Sequence, residues 1–306
     1  LQAGESGRWR RLLTLLEVPT ISRPAFIRQW LIPSLPALDE DSQYEALLWL
    51  RNHLNTAEAD EENSGGTRGA LRREVALAGI VKCSDGALRP VTQVYSPDEE
   101  VVRDVLGDSA PVPDRAWYGD DWDRWEKWFQ QMEWRTTPSA DDVLAHVDRL
   151  IERSATEGPS AVADACMRVF THVSNHWQEY ACTKRGADED ADDGDSGSLP
   201  SGLASRAWLP VLRAASDLAR YPLTQPPEER LYRPAEVCFV QEANLIASKR
   251  PLFRVQRMPP EDVRTGLGFQ PIGPEEVAEH FASLIAEWQN GRVTREAEGA
   301  YQAALQ

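Results

Sequence analysis

Apolar residues recur at intervals of three and four positions along much of the chain, which is the spacing of a helix with one buried face. Two such sets near the start are Trp9, Leu12, Leu13 and Leu16, then Tyr44, Leu47, Leu48 and Leu54. Ser22 followed by Pro24 predicts a capped helix start, because serine accepts from free backbone amides and proline suits the first turn. Further helices are predicted at Glu99–Leu106, Trp122–Trp134, Pro159–Tyr180, Glu242–Ala247 and Thr294–Leu305, with others starting at Pro138 and Pro274.

A short β-hairpin is predicted between Gly79 and Tyr95. Two apolar-rich runs, Ile80–Cys83 and Leu88–Tyr95, flank the sequence Ser84-Asp85-Gly86. Asp-Gly supplies the positive φ that a tight primed turn requires. Pro90 lacks a backbone donor, so the second strand is expected to be short or to lie at a sheet edge.

The second half of this hairpin recurs in outline further along the chain. Gly86–Tyr95 reappears as Arg230–Phe239, and both copies hold an Arg-Pro pair. Val143–His146 is likewise matched by Val277–His280, and in each case a leucine follows the valine by seven positions. A chain with internal repeats is usually built from stacked units that bury their apolar faces against each other. The repetition therefore predicts a scaffold.

A second hairpin is predicted to begin at Trp208–Val211, where a long excursion from Leu212 to Glu229 replaces the tight turn. The end of the aromatic helix also recurs, because Met132-Glu133-Trp134 matches Leu267-Gly268-Phe269 and, more weakly, Leu16-Glu17-Val18. The predicted repeat runs hairpin, short helix, aromatic helix, turn and capped helix.

These elements predict a predominantly helical α+β protein with two related repeat units, each holding a small hairpin and several helices. The predicted divisions are a helical part at 1–68 that ends a preceding repeat, a first unit at 69–155, a long helix with an acidic linker at 156–200, and a second unit at 201–306. Ala57–Gly69 is polar and acidic and is predicted as a loop. The linker is predicted to be disordered, because Asp188–Asp195 holds six acids in eight residues.

Composition limits the classes of function. The chain has 306 residues, with 33 Lys and Arg against 49 Asp and Glu, and a formal net charge of −16. Affinity for nucleic acid depends on neutralising phosphates, so direct nucleic-acid binding is not expected, although Arg8, Arg10 and Arg11 could form a local patch. The chain does not begin with Met and is expected to be a piece of a longer protein.

Location follows from two further features of the sequence. No run reaches the roughly 20 consecutive apolar residues that span a bilayer, so no membrane partner is expected. Four cysteines are present, at Cys83, Cys166, Cys182 and Cys238, and none forms a Cys-x-x-Cys pair. This number does not make a disulfide framework in a chain of this length, so a reducing cytoplasm is expected.

Candidate chemistry is sparse, and neither a catalytic residue nor a cofactor is predicted. His172 and His176 are four apart, so on one helix they share a face with Glu179, and these three are weak candidates for a metal site. His146 and His280 occupy matching repeat positions. Catalysis would not require the same histidine in two units, so a packing or capping role is predicted for both.

An unusually aromatic stretch allows two interpretations. Trp125 and Phe129 are predicted to lie in the core of their unit. Trp117 and Trp122 are left as candidates for binding a protein partner, because tryptophan is over-represented at interface hot spots. Acidic residues alternate with these rings along the chain.

The order of several motifs resembles the sacsin-type repeat region. The motifs are Ile80-Val81, Asp85-Gly86-Ala87-Leu88-Arg89-Pro90, Val94-Tyr95-Ser96-Pro97, Leu106-Gly107-Asp108 and the Trp-rich helix that ends Met132-Glu133-Trp134. In that group a buried strand, an Asp-Gly-x-Leu turn, an Arg-Pro-x-x-Val-Tyr-x-Pro strand, a Leu-Gly-Asp helix end and a Trp-rich helix recur in this order. The second half is similar through Trp208–Val211, Arg233–Val237, Ala247-Ser248 and Leu267–Phe269.

The resemblance implies a non-catalytic scaffold of a larger protein that also carries an ATPase domain of the histidine-kinase and heat-shock-chaperone type. Such repeats occur in sacsin, in plant relatives and in large bacterial proteins, some of them linked to phage defence. The chain itself lacks the Asp-x-Gly-x-Gly motif and Gly-rich lid of that ATP site, and Gly266-Leu267-Gly268 is no substitute. Two alternatives stay open: an adaptor in a bacterial antiphage defence protein, and a metal-dependent enzyme built around His172 and His176.

Overall fold

A computed structural model of the chain describes residues 21–181, 198–212, 228–242 and 250–289, which form two compact units. Of these residues, unit 1 comprises 21–100 and 110–137, and unit 2 comprises 101–109 and those from 138 onward. These bounds differ from the predicted divisions at 68, 155 and 200, which follow repeated motifs along the chain rather than contacts within a folded unit. Several predictions lie wholly or mostly outside the described residues: the helix at Trp9–Leu16, the arginines at 8, 10 and 11, Cys182, the linker at Asp188–Asp195, the excursion at Leu212–Glu229, the helix at Glu242–Ala247 and the helix at Thr294–Leu305.

Unit 1 begins with a helical segment whose winding changes along its length: α1 (Arg23–Phe26), a π-helical turn (Ile27–Leu31), α2 (Ile32–Ser34) and a 3-10 turn (Leu35–Ala37). It continues with α3 (Glu40–Asn63), α4 (Ala70–Leu77), β1 (Gly79–Lys82), β2 (Leu88–Pro90) and a 3-10 turn (Val91–Gln93). After α5 (Glu100–Leu106), which belongs to unit 2 from Val101 on, unit 1 ends with α6 (Arg115–Tyr118) and α7 (Trp122–Gln130).

Unit 2 continues with α8 (Ala140–Glu157), a 3-10 turn (Pro159–Ala161), α9 (Ala163–Asn175), α10 (Trp177–Ala181) and α11 (Leu199–Ser205). The strands are β3 (Leu209–Val211), β4 (Arg230–Tyr232), β5 (Cys238–Phe239) and β6 (Leu252–Phe253), with a 3-10 turn at Pro234–Glu236. The last described helices are α12 (Glu261–Gly266) and α13 (Pro274–Gln289). The protein is thus predominantly helical with small two-stranded sheets, as predicted.

The two units have the same order of elements. In each, a first helix is followed by a second helix, which is broken in unit 2, then by a short third helix, an antiparallel strand pair, a 3-10 turn and a helix that is followed by a left-handed residue. The first helices also start alike, because Oγ of Ser22 and Oγ of Ser139 each accept the backbone amide three residues on, at 3.4 and 3.2 Å.

The strand pairs of the two units share their register at two successive positions, although a bulge between Gly79 and Val81 interrupts the pairing in unit 1 and none occurs between β3 and β4. In unit 1, Val81 lies opposite Arg89 and Lys82 lies opposite Leu88. The equivalent pairs in unit 2 are Leu209 with Tyr232 and Pro210 with Leu231. This equivalence differs by one residue from the sequence match, which aligned Pro90 with Pro234. The structure places Pro90 level with Arg233, because the 3-10 turn of unit 1 begins after its proline and that of unit 2 begins with it.

The turn between β1 and β2 is not the primed turn that was predicted. The Gly86 amide donates to the Cys83 carbonyl at 2.8 Å, and of the three turn residues Gly86 alone has a positive φ, of 81°. A type I′ turn needs a positive φ at both central residues, whereas a type I turn followed by one left-handed residue needs it once. The Asp85 carboxylate stabilises this form by accepting the Ala87 amide at 3.1 Å.

A parallel strand pair in unit 2 was not predicted. β5 and β6 pair in parallel, and the Cys238 amide donates to the Pro251 carbonyl at 3.0 Å. Unit 1 has the equivalent bond from the Tyr95 amide to the Pro111 carbonyl at 2.9 Å. Strands of two residues are too short for an alternating pattern, so the sequence gives no signal for them.

The second helix of unit 1 extends further than predicted. Residues 57–63, predicted as part of a loop, form the end of α3, and Ala57 is fully buried. Ion pairs hold this end to other elements, with Arg28 Nη2 at 2.7 Å from Glu61 Oε1 and Arg72 Nη2 at 2.7 Å from Glu58 Oε2. The local sequence is polar and acidic and therefore resembles that of a loop. The arginines that pair with its carboxylates lie elsewhere in the chain, so the segment alone does not reveal them.

The second helix of unit 2 is broken, in contrast to the single helix predicted at Pro159–Tyr180. A 3-10 turn precedes α9, and His176, with φ −107° and ψ 24°, separates α9 from α10. The buried face nevertheless follows the spacing of the buried face of α3. Equivalent buried positions are Gln43, Leu47, Leu50, Leu54 and Ala57 in α3 and Cys166, Phe170, Val173, Trp177 and Tyr180 in α9 and α10.

The aromatic helix of unit 1 and its counterpart in unit 2 end in the same conformation. Glu133 follows α7 with φ 59°, and Gly268 follows α12 with φ 82°. Their amides donate three residues back, to Gln130 at 3.1 Å and to Thr265 at 3.0 Å. A left-handed conformation costs an L-residue about 1–2 kcal/mol, whereas glycine adopts it without steric cost.

Replacing Glu133 by Gly is therefore expected to raise the free energy of unfolding of unit 1 by about 0.5–1 kcal/mol, net of the entropy of the added glycine. Gly268→Ala is expected to destabilise unit 2, since its Cβ would also lie 3.0 Å from the Ala204 Cβ. Urea unfolding checks both. Gln131→Gly is the control, because Gln131 is right-handed, and glycine should destabilise there. Equal losses in Glu133→Gly and Gln131→Gly would contradict the prediction.

Candidate functional site

The three predicted metal candidates lie together where α9 meets α10. Nε2 of His172 is 2.8 Å from the Tyr180 hydroxyl, which itself donates to the Pro138 carbonyl at 3.1 Å. Nδ1 of His176 lies 3.0 Å from Oε1 of Glu179. The centroids of the two imidazole rings are 4.6 Å apart and their planes are inclined by 32°, so the rings pack against each other at a tilt.

The Tyr180 hydroxyl occupies Nε2 of His172. Their 2.8 Å hydrogen bond uses this nitrogen either as donor or as acceptor, so a metal ion would have to displace the hydroxyl to bind there. Across the ranges that the structure describes, no group of three or more His, Cys, Asp or Glu side chains is placed to hold a metal ion.

Unit 1 contains the same ring pair with different residues. Trp49 and His53 lie on α3 at the positions equivalent to His172 and His176, and their centroids are also 4.6 Å apart, with planes inclined by 39°. Tryptophan is not a metal ligand, so the feature that the two units share at these positions is ring packing.

His146 holds the end of α5 against α8. Its Nδ1 lies 2.8 Å from the Ser109 hydroxyl, which donates to the Leu106 carbonyl in the last turn of α5. Nε of Arg168 donates to the Asp104 carbonyl at 2.8 Å. These bonds satisfy carbonyls that the helix end leaves unpaired. His280 is buried at the equivalent position of α13.

Burial lowers the pKa of His146 and of His172 to about 4, with a further lowering from Arg149 and Arg168 at the first and from His176 at the second. The folded state therefore keeps both rings neutral at a pH where the unfolded chain, with a histidine pKa of about 6.5, takes up protons. Stability from these groups is present above about pH 6.5 and is lost as the pH falls toward 4.

Between pH 7 and pH 5 we expect unit 2 to lose roughly 2 kcal/mol of unfolding free energy through these two histidines, allowing for solvent near each ring. This window lies above the range in which most carboxylates titrate. Urea unfolding at the two pH values measures the loss. The double variant His146→Gln/His172→Gln should remove most of the pH dependence, and each single variant about half. An unchanged slope in the double variant would refute the assignment.

The buried thiols are not poised for nucleophilic chemistry. Burial raises the pKa of Cys83, Cys166 and Cys238 to about 12. A thiol is nucleophilic as thiolate, so all three are protonated and unreactive at neutral pH. They pack as small apolar side chains in their units.

The two tryptophans predicted to bind a partner lie half-buried at the edge of the unit 1 core. The Trp117 ring is 5.3 Å from that of Tyr44, and the Arg115 guanidinium lies 5.1 Å above the Trp122 ring. Trp125 and Phe129 are fully buried, so their core role is confirmed. The partner role of Trp117 and Trp122 stays a prediction.

A groove along α9 in unit 2 was not predicted from the sequence. Its volume is about 1070 Å³. Its floor is the outer face of α9, and its walls are α5 and the segment 255–260. Its lining includes both candidate histidines, His172 and His176, and four charged side chains, Asp104, Asp164, Arg168 and Arg257. The sequence shows the outer face of α9 as a polar stripe, but it cannot show that segments about 60 residues before and 90 residues after this helix border it.

Comparison of the chain with protein-family models, curated proteins and solved structures gives no match. The resemblance to sacsin-type repeats therefore rests on the order of the motifs and stays a prediction. No helix in the described part of the chain combines the length and apolar character that crossing a membrane requires.

Proposed function

We propose that the chain is a non-catalytic repeat scaffold of a larger sacsin-like protein, which holds partner proteins or couples them to an ATPase domain. The observation that carries this proposal is the recurrence of one architecture, from the helix starts at Ser22 and Ser139 to the left-handed residues Glu133 and Gly268. Repeated units build extended surfaces, and such surfaces typically bind other proteins.

The bonding of the chemically capable side chains supports a structural role. His146 and His172 are neutral and bonded to neighbouring hydroxyls, and the buried thiols are protonated. A catalytic site instead keeps a nucleophile or base within reach of a substrate, with a pKa near the working pH.

The charge of the chain favours protein partners with basic surfaces. A formal net charge of −16 attracts such partners at long range and repels nucleic acid. Direct nucleic-acid binding is therefore not part of the proposal, and a cytoplasmic location remains the expectation.

Aggregation of a heat-denatured reporter enzyme such as citrate synthase, followed by light scattering, tests the scaffold role. The chain at equimolar concentration should lower the scattering, serum albumin should not, and ATP should make no difference. Titration calorimetry with ATP and Mg²⁺ should show no saturable heat. Unaltered scattering, or saturable ATP binding, would contradict the proposal.

Metal analysis separates the scaffold from the enzyme alternative. Purified chain and its His176→Ala variant are expected to hold equally little zinc after dialysis, because Nε2 of His172 is hydrogen-bonded to the Tyr180 hydroxyl. One zinc per chain that disappears in the variant would favour the metal-dependent enzyme instead.

A further inference from the structure

We propose that Trp30 marks a docking surface of unit 1 for a short amphipathic helix contributed by a preceding repeat unit. This inference rests on the repeat scaffold proposed above, and it names the surface through which one repeat would engage the next. Two observations carry it: a helix of unit 2 that the chain supplies from within unit 1, and an exposed tryptophan at the equivalent place in unit 1.

The short helix α5 is built into unit 2, although the chain enters and leaves it through unit 1. The segment Val101–Ser109 belongs to unit 2, whereas the residues on both sides of it belong to unit 1. Its apolar face is buried, since Val102, Val105 and Leu106 are at most 4% exposed. One repeat therefore contributes a short helix to the repeat that follows it.

Side chains of the first two helices of unit 2 hold α5 near its C-terminal end. Nδ1 of His146 on α8 is 2.8 Å from the Ser109 hydroxyl, which donates to the Leu106 carbonyl. Nε of Arg168 on α9 donates to another carbonyl of α5 at 2.8 Å. His146 is 8% exposed, and His280 at the equivalent position of α13 is 5% exposed. This position of the first helix is therefore buried in both cases.

The first helix of unit 1 contains one extra residue relative to that of unit 2. Buried Leu31 lies nine positions after Ser22, whereas buried Val147 lies eight positions after Ser139. The π-helical turn accounts for the difference, because the Ile32 amide donates to the carbonyl five positions back instead of four. Leu31 and Val147 are therefore equivalent.

Trp30 takes the place of His146, because each precedes one of these equivalent residues. The sequence supports this assignment, since the matched residues Leu16 and Met132 are separated by the same number of positions as Trp30 and His146. Trp30 is 64% exposed, in contrast to the two histidines at this position. Within the described residues, unit 1 thus leaves uncovered the surface on which unit 2 receives α5.

The exposed indole suits the end of a short helix. Its flat face offers apolar area to the apolar side of the helix, and Nε1 can donate to a carbonyl that the last turn leaves unpaired. On the second helix, Glu45 is exposed at the position equivalent to Arg168. A carboxylate cannot make the bond that Arg168 makes to α5, so the indole is the main anchor and the helix is held less tightly than α5.

Titration of the ¹⁵N-labelled chain with a peptide of the α5 sequence, residues 99–110, tests the proposal. Sodium chloride at about 1 M screens the repulsion between the acidic peptide and the acidic chain. The indole N–H resonance of Trp30, assigned by its loss in Trp30→Phe, should shift and saturate in the millimolar range. A control peptide with Val102→Asn/Val105→Asn/Leu106→Asn should cause less than about a tenth of this shift. No shift, or equal shifts with both peptides, would overturn the proposal.

Variants of the second helix test the equivalence of the two surfaces. Glu45→Arg places a guanidinium where Arg168 binds α5, and it should tighten binding of the α5 peptide about threefold. Asp123→Arg makes the same change of charge at an exposed position of unit 1 and should have little effect in this salt. Equal effects of the two variants would show that the peptide does not dock as α5 does and would overturn the inference.

The aggregation assay keeps a failure of this inference distinct from a failure of the proposed function. Suppression of aggregation by the chain, with no peptide-induced shift at Trp30, would leave the scaffold in place and remove only the docking surface. Loss of both would contradict the scaffold as well.

Discussion

Replacing Trp125 by Ala is expected to lower the free energy of unfolding of unit 1 by about 4 kcal/mol, which is the usual cost of truncating a fully buried aromatic ring. The Trp125 ring lies 5.1 Å from that of Tyr118 and 5.5 Å from that of Trp128. The Arg51 guanidinium lies 4.3 Å above it, so truncation also uncovers a largely buried charge. Urea unfolding followed by tryptophan fluorescence measures the loss, because most tryptophans of the chain lie in unit 1.

Trp122→Ala is the matched control, because it makes the same chemical change on the same helix at a half-buried position. We expect it to cost about 1 kcal/mol, since it removes less buried surface and one exposed cation–π contact. Equal losses in the two variants would contradict the placement of Trp125 in the core and of Trp122 at its edge.

Replacing Gly266 by Ala is expected to destabilise unit 2 by about 3 kcal/mol, at the upper end of the usual cost of overpacking a core. A Cβ at this position would lie 2.1 Å from Cζ2 and 2.4 Å from Cη2 of Trp177. Trp177 is buried and its ring is rigid, so the helix or the indole must move. At an unobstructed position inside a helix, replacing Gly by Ala raises the free energy of unfolding by about 1 kcal/mol. A decrease at Gly266 would therefore indicate the clash with Trp177.

A double-mutant cycle supplies the control for this contact. In the Trp177→Leu background the ring is gone, and Gly266→Ala should cost less than about 1 kcal/mol. The coupling energy between the two changes is read from urea unfolding of the four proteins. A cost of Gly266→Ala that is the same in both backgrounds would show that Trp177 does not contact Gly266.

Helix starts and the aromatic core could be predicted from the sequence because their signals are local. Three helix starts are indicated by residues that favour the beginning of a helix, namely Ser22, Ser139 and Pro274. The aromatic core is indicated by the four-residue spacing of Trp125 and Phe129, which places both rings on one face of their helix. Both hairpins could likewise be predicted from apolar runs near Arg-Pro pairs.

Features that depend on distant partners could not be predicted. The end of α3 looks like a loop until Arg28 and Arg72 are seen to pair with its glutamates. The one-residue shift between the Arg-Pro pairs arises because the 3-10 turn begins after the proline in unit 1 and at the proline in unit 2. The local sequence does not indicate where each turn begins.

The groove is the clearest case of this limit at the candidate site. Its floor belongs to one helix, but its walls come from α5 and the segment 255–260, and only folding brings these together. At the histidines, the sequence suggested a metal site that the side-chain contacts do not support. Helical spacing correctly places His172 beside His176, but it cannot show that Tyr180 takes the nitrogen that a metal would need.

Cross-strand nuclear Overhauser effects in the full chain test most directly the claim that one architecture occurs twice. We expect contacts between Val81 and Arg89 in unit 1 and between Leu209 and Tyr232 in unit 2, which are equivalent positions of the two strand pairs. A second pair that follows the Arg-Pro match instead, or shows no cross-strand contacts, would contradict the shared architecture and the scaffold proposed from it.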